Sequence, residues 1–168
     1  MTAFAAIDFE TADRWRDSAC AVGAVLVKQG RIAGRYHQLI RPPRRSFEFT
    51  HIHGLTWADV RDSPAFGDMW PDLRRFVDDA GFLVAHNAGF DRSVLEACCA
   101  AANVAPPELG FRCTVQMARR TWNLPSASLP VVCRHLGIPL NHHDALSDAE
   151  ACARIAIEAL GEAAHTRA

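Results

Sequence analysis

The sequence predicts an α/β domain built on a mixed sheet. Two patterns carry that prediction: extended segments come first and pair as neighbours, and strand and helix then alternate to the end of the chain. At 168 residues the chain suits one domain, residues 1–168, with a core of useful size, and is short for two.

Residues 3–9 read as the first strand, apolar on both faces until the acids Asp8 and Glu10. "CAVGAVLVKQGRIAGRYHQLIRP" reads as two strands joined by a turn at Gln29 and Gly30, with a break at Pro42 and Pro43. A polar connection containing "THIHGLTWADV" follows. In "MWPDLRRFVDDA" the residues Trp70, Leu73, Phe76 and Val77 fall at helical spacing, and "GFLVAHN" then gives a short buried strand. "FDRSVLEACCAAAN" is a helix ending near Asn103, with prolines just beyond. Short helices cover "TVQMARRTW" and "SLPVVCRHLG", the latter stopped by Gly137 and Pro139, and the longest helix runs from Asp144 to about Ala164.

Composition narrows the class. With 49% hydrophobic and 22% charged residues the chain is neither disordered nor membrane-like. No apolar run reaches the roughly 18 residues of a spanning helix. The start "MTAFAAIDFE" lacks a basic n-region and a long h-region, so a cytoplasmic location is expected. Six cysteines are scattered with no C-x-x-C pair, which fits buried free thiols better than zinc ligands or disulfides. A net charge of -1 argues against coating nucleic acid through a general basic field. Locally, Arg31, Arg35, Arg41, Arg44 and Arg45 form a basic strip that either meets phosphates or guards a strand edge.

Two residues apart on a strand, Asp8 and Glu10 share a face, their Cα atoms about 6.5 to 7 Å apart. Alone, such a pair reads as two solvated acids at a strand end. Asp148 changes that reading, because it lies on the same helical stripe as Ala145, Ala149, Cys152, Ile155, Ala156 and Ala159 and so faces the core. Asp91 likewise aligns with Leu95, Cys98 and Ala102. Buried carboxylates are costly unless paired or bound to a cation, and neither stripe supplies a Lys or Arg. Mg²⁺ or Mn²⁺, held by a few carboxylates together with water and substrate phosphate, resolves the cost. Two such ions also suit in-line displacement at phosphorus.

That chemistry needs a base for the attacking water, and histidine titrates near the working pH. "NHHDALSDAEA" supplies His142 and His143. If Asp144 caps the last helix, His143 lies outside it and is free to fold over the acids.

Taken in order, "DFET", "HNAGFD" and "HHDALSDAEA" resemble the DEDDh 3′ to 5′ exonucleases, the DnaQ-like family that includes the proofreading subunit of bacterial replicative DNA polymerase. The resemblance covers nearly the whole chain. It implies a ribonuclease H-like fold, a central mixed five-stranded sheet flanked by helices, and two divalent metal ions, Mg²⁺ or Mn²⁺. By matching position, Asp8 bridges the metals, Glu10 and Asp148 help to hold one, Asp91 reaches the site directly or through water, and His143 is the general base. His142 falls out of register. "HIHGLT" looks like the segment that receives the 3′-terminal nucleotide, with Leu55 wedged against bases and His53 and Gly54 lining the pocket. Thr11, Asn87 and Phe90 complete the expected nucleotide contacts.

The implied reaction is removal of nucleoside 5′-monophosphates from single-stranded 3′ ends, DNA favoured. The alternatives are an RNA-trimming or short-oligonucleotide-degrading enzyme of the same family, or a polymerase-accessory binding module without turnover. A DNA polymerase or repair complex is a candidate protein partner, no membrane is expected, and monomer and homodimer stay open. Two features depart from the family pattern. "ADRWRDSAC" replaces a short glycine-containing turn after "DFET", and the sequence stops soon after the last helix, which favours a freestanding nuclease.

Overall fold

The computed structural model describes residues 2–165, and the side chains of residues 2–162. Five strands form one mixed sheet in the order β3-β2-β1-β4-β5. They are β1 (Phe4–Thr11), β2 (Ala19–Lys28), β3 (Arg31–Leu39), β4 (Leu83–Ala85) and β5 (Phe111–Cys113). β1, β2 and β3 pair antiparallel, whereas β4 and β5 extend the sheet parallel to β1. The expected mixed five-stranded sheet is therefore present.

The hairpin turn falls where the sequence places it. Gln29 and Gly30 have φ of 52° and 74°, the left-handed pair that matches the twist of two adjoining strands. β3 is an edge strand, alternately exposed along its length, and its Arg35 is paired to Glu150 at 2.7 Å. Edge protection thus accounts for that part of the arginine strip.

Helices cover both faces. On one lie α3 (Phe66–Val77) and α4 (Gly89–Ala101), packed on Ala5, Ile7 and Phe9 of β1. On the other lie α5 (Thr114–Thr121), α6 (Leu129–Leu136) and α7 (Ala145–His165), packed on Phe4 and Ala6. The alternation of β1 assigns Asp8 and Glu10 to the second face, beneath the start of α7.

The structure differs from expectation at three places. The polar connection folds into two one-turn helices, α1 (Thr50–His53) and α2 (Trp57–Val60). Gly54 at φ 79° closes the first, and Asp59 starts the second by accepting the Thr56 N–H at 2.7 Å. α3 begins at Phe66, three residues upstream of the segment whose spacing reads as helical, and carries Pro71 inside it. Pro71 forfeits roughly 3 kcal/mol, but burial of Phe66, Met69 and Trp70, at about 1.5–3 kcal/mol each, outweighs it. The fifth strand of the expected sheet, β5, lies in a segment that the residue pattern does not mark as a strand. The cysteines are free, all but Cys113 buried. Among the described residues no helix is long and apolar enough to cross a membrane.

Candidate active site

The carboxylates meet at the carboxyl ends of β1 and β4, the edge where open α/β sheets take ligands. A register shift between Glu10 and Thr11 breaks the β1–β2 ladder just past the two acids, leaving one further pair, Thr11 with Ala19; bulges recur beside functional sites. β4 stops at Ala85 and the chain turns through Asn87 at φ 68° into α4. Asp91, in the first turn of that helix and 2% exposed, accepts the Phe9 N–H at 3.0 Å.

α7 supplies the fourth acid. Its start approaches β2 so closely that a Cβ built on Gly23, the register partner of Asp8, would lie 2.1 Å from the Ala145 carbonyl oxygen. Asp144 caps the helix, accepting the Ser147 N–H at 2.8 Å. The residue before it, His143, sits at φ 68° and donates its backbone N–H to Asp148 Oδ2 at 3.1 Å. His142 joins the same oxygen through Nδ1 at 2.8 Å, and the two imidazoles stack with centroids 3.8 Å apart.

One oxygen each of Asp8, Glu10 and Asp148 lies within 4.8 Å of the others. Burial, then the neighbouring acids, raises Asp8 well above the usual carboxylate range and Glu10 to about 8. Burial also lifts Asp91 to about 7, against the pull of its backbone hydrogen bonds, and raises Asp148. Asp148 Oδ1 is buried with no hydrogen-bond partner among the described residues. Oxygen donors crowded at mutual cost, one of them unpartnered, fit a hard divalent cation.

Above the acids opens a cavity of about 350 Å³, at the small end of ligand pockets. Its walls are apolar, with Phe9, Phe49, Ile52, Phe90 and Leu129 facing His53, His86, His142 and His143. Of the expected nucleotide contacts, Thr11, His53 and Phe90 line it, and Gly54, Leu55 and Asn87 do not. Gly54 is the cap of α1, and Leu55 packs with Ala12, Cys20 and Val60 in a small satellite core. The exposed apolar residue of that segment is Ile52. His53 is a tether: its Nε2 lies 3.1 Å from the Thr11 carbonyl, and its Nδ1 accepts the Leu55 N–H.

A family model described as Exonuclease (RNase_T) matches residues 5–156, from β1 into α7. The chain belongs to the RNase_T exonuclease family. Among curated relatives, this exonuclease domain is 31% identical over 156 residues to a PolC-type DNA polymerase III of Thermotoga petrophila, covering 90% of this chain and 11% of that protein. It is 30% identical to Exodeoxyribonuclease 10 of Escherichia coli K12, covering 86% of this chain and 63% of the relative. Exonuclease X, solved in complex with 5′ overhanging duplex DNA, superposes with a TM-score of 0.78 at 26% identity over 96% of this chain and 93% of that one. The DEDDh nuclease domain of 3′hExo, solved with rAMP, has the same fold at a TM-score of 0.78 and 18% identity, covering 95% of this chain and 92% of that one.

Proposed function

We propose that the exonuclease domain hydrolyses single-stranded nucleic acid from the 3′ end, DNA in preference to RNA, releasing nucleoside 5′-monophosphates. The convergence of Asp8, Glu10 and Asp148 beneath a cavity of nucleotide size carries this reading. Asp8, Glu10, Asp91 and Asp148 would hold two divalent cations, Mg²⁺ or Mn²⁺, which supply Lewis-acid stabilisation to the charge on the reacting phosphate. The remaining work falls to side chains of the domain.

His143 stands at the cavity wall beside Asp148, and burial, then His142, lowers its pKa so that the neutral form predominates. A neutral imidazole accepts a proton as water attacks phosphorus. The P–O3′ bond breaks as the new P–O bond forms, and the departing 3′ oxygen takes its proton from solvent. Phe49, Ile52 and Phe90 give the terminal base and sugar an apolar, sequence-tolerant seat. Kinship with an exodeoxyribonuclease over most of this chain supports DNA, and the PolC-type relative supports a replication or repair setting with a polymerase or repair complex as partner.

The test is a time course on 5′-labelled single-stranded DNA, single-stranded RNA and duplex oligomers, with Mg²⁺ or EDTA, and with a 3′-phosphate-blocked control. A ladder shortening from the 3′ end, fastest on single-stranded DNA and absent in EDTA, is expected. Faster RNA turnover would assign the RNA-trimming alternative. Release of the 5′ label first, or full activity in EDTA, would overturn the proposal.

A further inference from the structure

The loop from Ala12 to Ser18 leaves the cavity directly after Thr11, and its own side chains hold it. Asp13 Oδ1 accepts the Trp15 N–H at 2.9 Å, and Ser18 Oγ lies 2.7 Å from the Trp15 carbonyl. Arg44 reaches across to Asp13 at 2.9 Å and Asp17 at 3.0 Å. A short loop fixed at so many points is pre-organised rather than free to fold inward. Its tip nevertheless turns a large apolar side chain into water: Trp15 is 60% exposed, more than any other large apolar residue among those described.

One guanidinium group lies beside that indole, and a second, from the next residue along, lies over the catalytic cavity wall. The Arg14 group lies 5.9 Å from the Trp15 ring, and the Arg16 group sits 4.5 Å above the ring of Phe90, which lines the catalytic cavity. Arg44 spends its charge on the two aspartates, whereas Arg14 and Arg16 form no salt bridge among the described residues. A cavity of about 350 Å³ accommodates little beyond a terminal nucleotide, so the rest of a strand must be held outside it. The net charge of -1 supplies no general attraction for that strand. Local contacts have to do so.

We propose that Trp15, with Arg14 and Arg16 beside it, is a strand-holding platform. The indole stacks on a base upstream of the terminal nucleotide, and the two guanidinium groups meet the neighbouring phosphates. This inference rests on the nucleic-acid reading above and adds a specificity determinant for substrate length. Base stacking on an aromatic side chain is sequence-tolerant and is worth roughly a tenfold or greater change in affinity.

The experiment compares wild type with Trp15→Ala and Trp15→Phe on single-stranded DNA ten nucleotides long and on a dinucleotide. It also scans 2-aminopurine through the longer strand, bound in EDTA. Trp15→Ala should raise KM for the ten-nucleotide strand about tenfold with kcat within about twofold, and should move the dinucleotide KM far less. It should also relieve 2-aminopurine quenching at one upstream position, while Trp15→Phe retains most of both effects. Since the Trp15 side chain is exposed and the loop is held by the side chains of Asp13, Ser18 and Arg44 rather than by the indole, the variants should unfold at the wild-type temperature. An unchanged KM together with unchanged quenching, or an equal rise in KM on the dinucleotide, would overturn the platform. If the wild type cleaves no oligomer the catalytic reading fails, and the quenching scan still decides the role of Trp15.

Discussion

The ring of His142 rests on Asp148, with Nδ1 2.8 Å from Oδ2, and His143 meets the same oxygen only through its backbone N–H. The two histidines are therefore not equivalent. His142 fixes one oxygen of the carboxylate, leaving Oδ1 for a cation, while the His143 side chain has no such duty and is available to a water in the cavity.

His143→Ala should consequently lower kcat by about 10²- to 10⁴-fold, the usual worth of a positioned general base, with little change in the Mg²⁺ concentration for half-maximal rate. His142→Ala should cost less than about tenfold in kcat by the same reasoning and should shift the Mg²⁺ dependence instead. Steady-state kinetics across a Mg²⁺ titration separate the two. A larger loss of kcat in His142→Ala would exchange their roles.

Asp8 lies where repulsion converges, since its pKa is raised by burial and then by Asp91, Asp148, Glu10 and Asp144. Asp8→Asn should abolish turnover, by roughly 10³-fold or more, yet raise the melting temperature in EDTA because it removes the cost of burying this carboxyl among others, whether it is ionised or held protonated. Calorimetry with and without Mg²⁺, beside an activity assay, checks both halves. A lower melting temperature in EDTA would mean that the cluster is not repulsive.

The same cluster gives the metal-free domain a pH signature. Glu10 at about 8 and Asp91 at about 7 bind protons in the folded state that they would release on unfolding anywhere above the ordinary carboxylate range. Between about pH 5 and pH 8 the unfolded chain therefore holds fewer protons, and stability falls as pH rises. Melting temperature in EDTA should decline across that window, and saturating Mg²⁺ should flatten the decline. A profile that rises with pH in EDTA would contradict the raised pKa values.

The parts of this arrangement that were legible in the sequence are those written as a period. Alternation in β1 set Asp8 and Glu10 on one face, and the stripe of small residues in α7 turned Asp148 inward. Gly30 marked the turn because few residues other than Gly readily adopt the positive φ it has there. β5 left no such mark, since three residues cannot display a period; it is held by pairing with β4, a long-range contact. The cavity wall was displaced for a related reason. With Gly54 closing α1, a one-turn helix decides whether Ile52 or Leu55 faces the site, and a four-residue helix is too short to show a face. His142 escaped because its ring direction follows from the left-handed backbone of His143 next to it, which no spacing rule predicts.

Gly23 offers the strictest test of how the fold sets the site. It is the register partner of Asp8, and a Cβ there would lie 2.1 Å from the Ala145 carbonyl oxygen and 2.5 Å from the Leu146 nitrogen, backbone atoms that cannot swing aside. Gly23→Ala must push the start of α7 away from β2, and Asp148 with it. The expected cost is about 1–3 kcal/mol of stability, typical of overpacking. The loss of kcat should be disproportionate, about 10²-fold, since a shift on the order of 1 Å is enough to spoil a catalytic geometry. Gly110→Ala is the control, because a Cβ there meets nothing within 4 Å, and it should stay within about 0.5 kcal/mol of wild type. Chemical denaturation and single-turnover rates on the same preparations measure both quantities. Full activity in Gly23→Ala would show that the acids of β1 and α7 need not be held at this close approach.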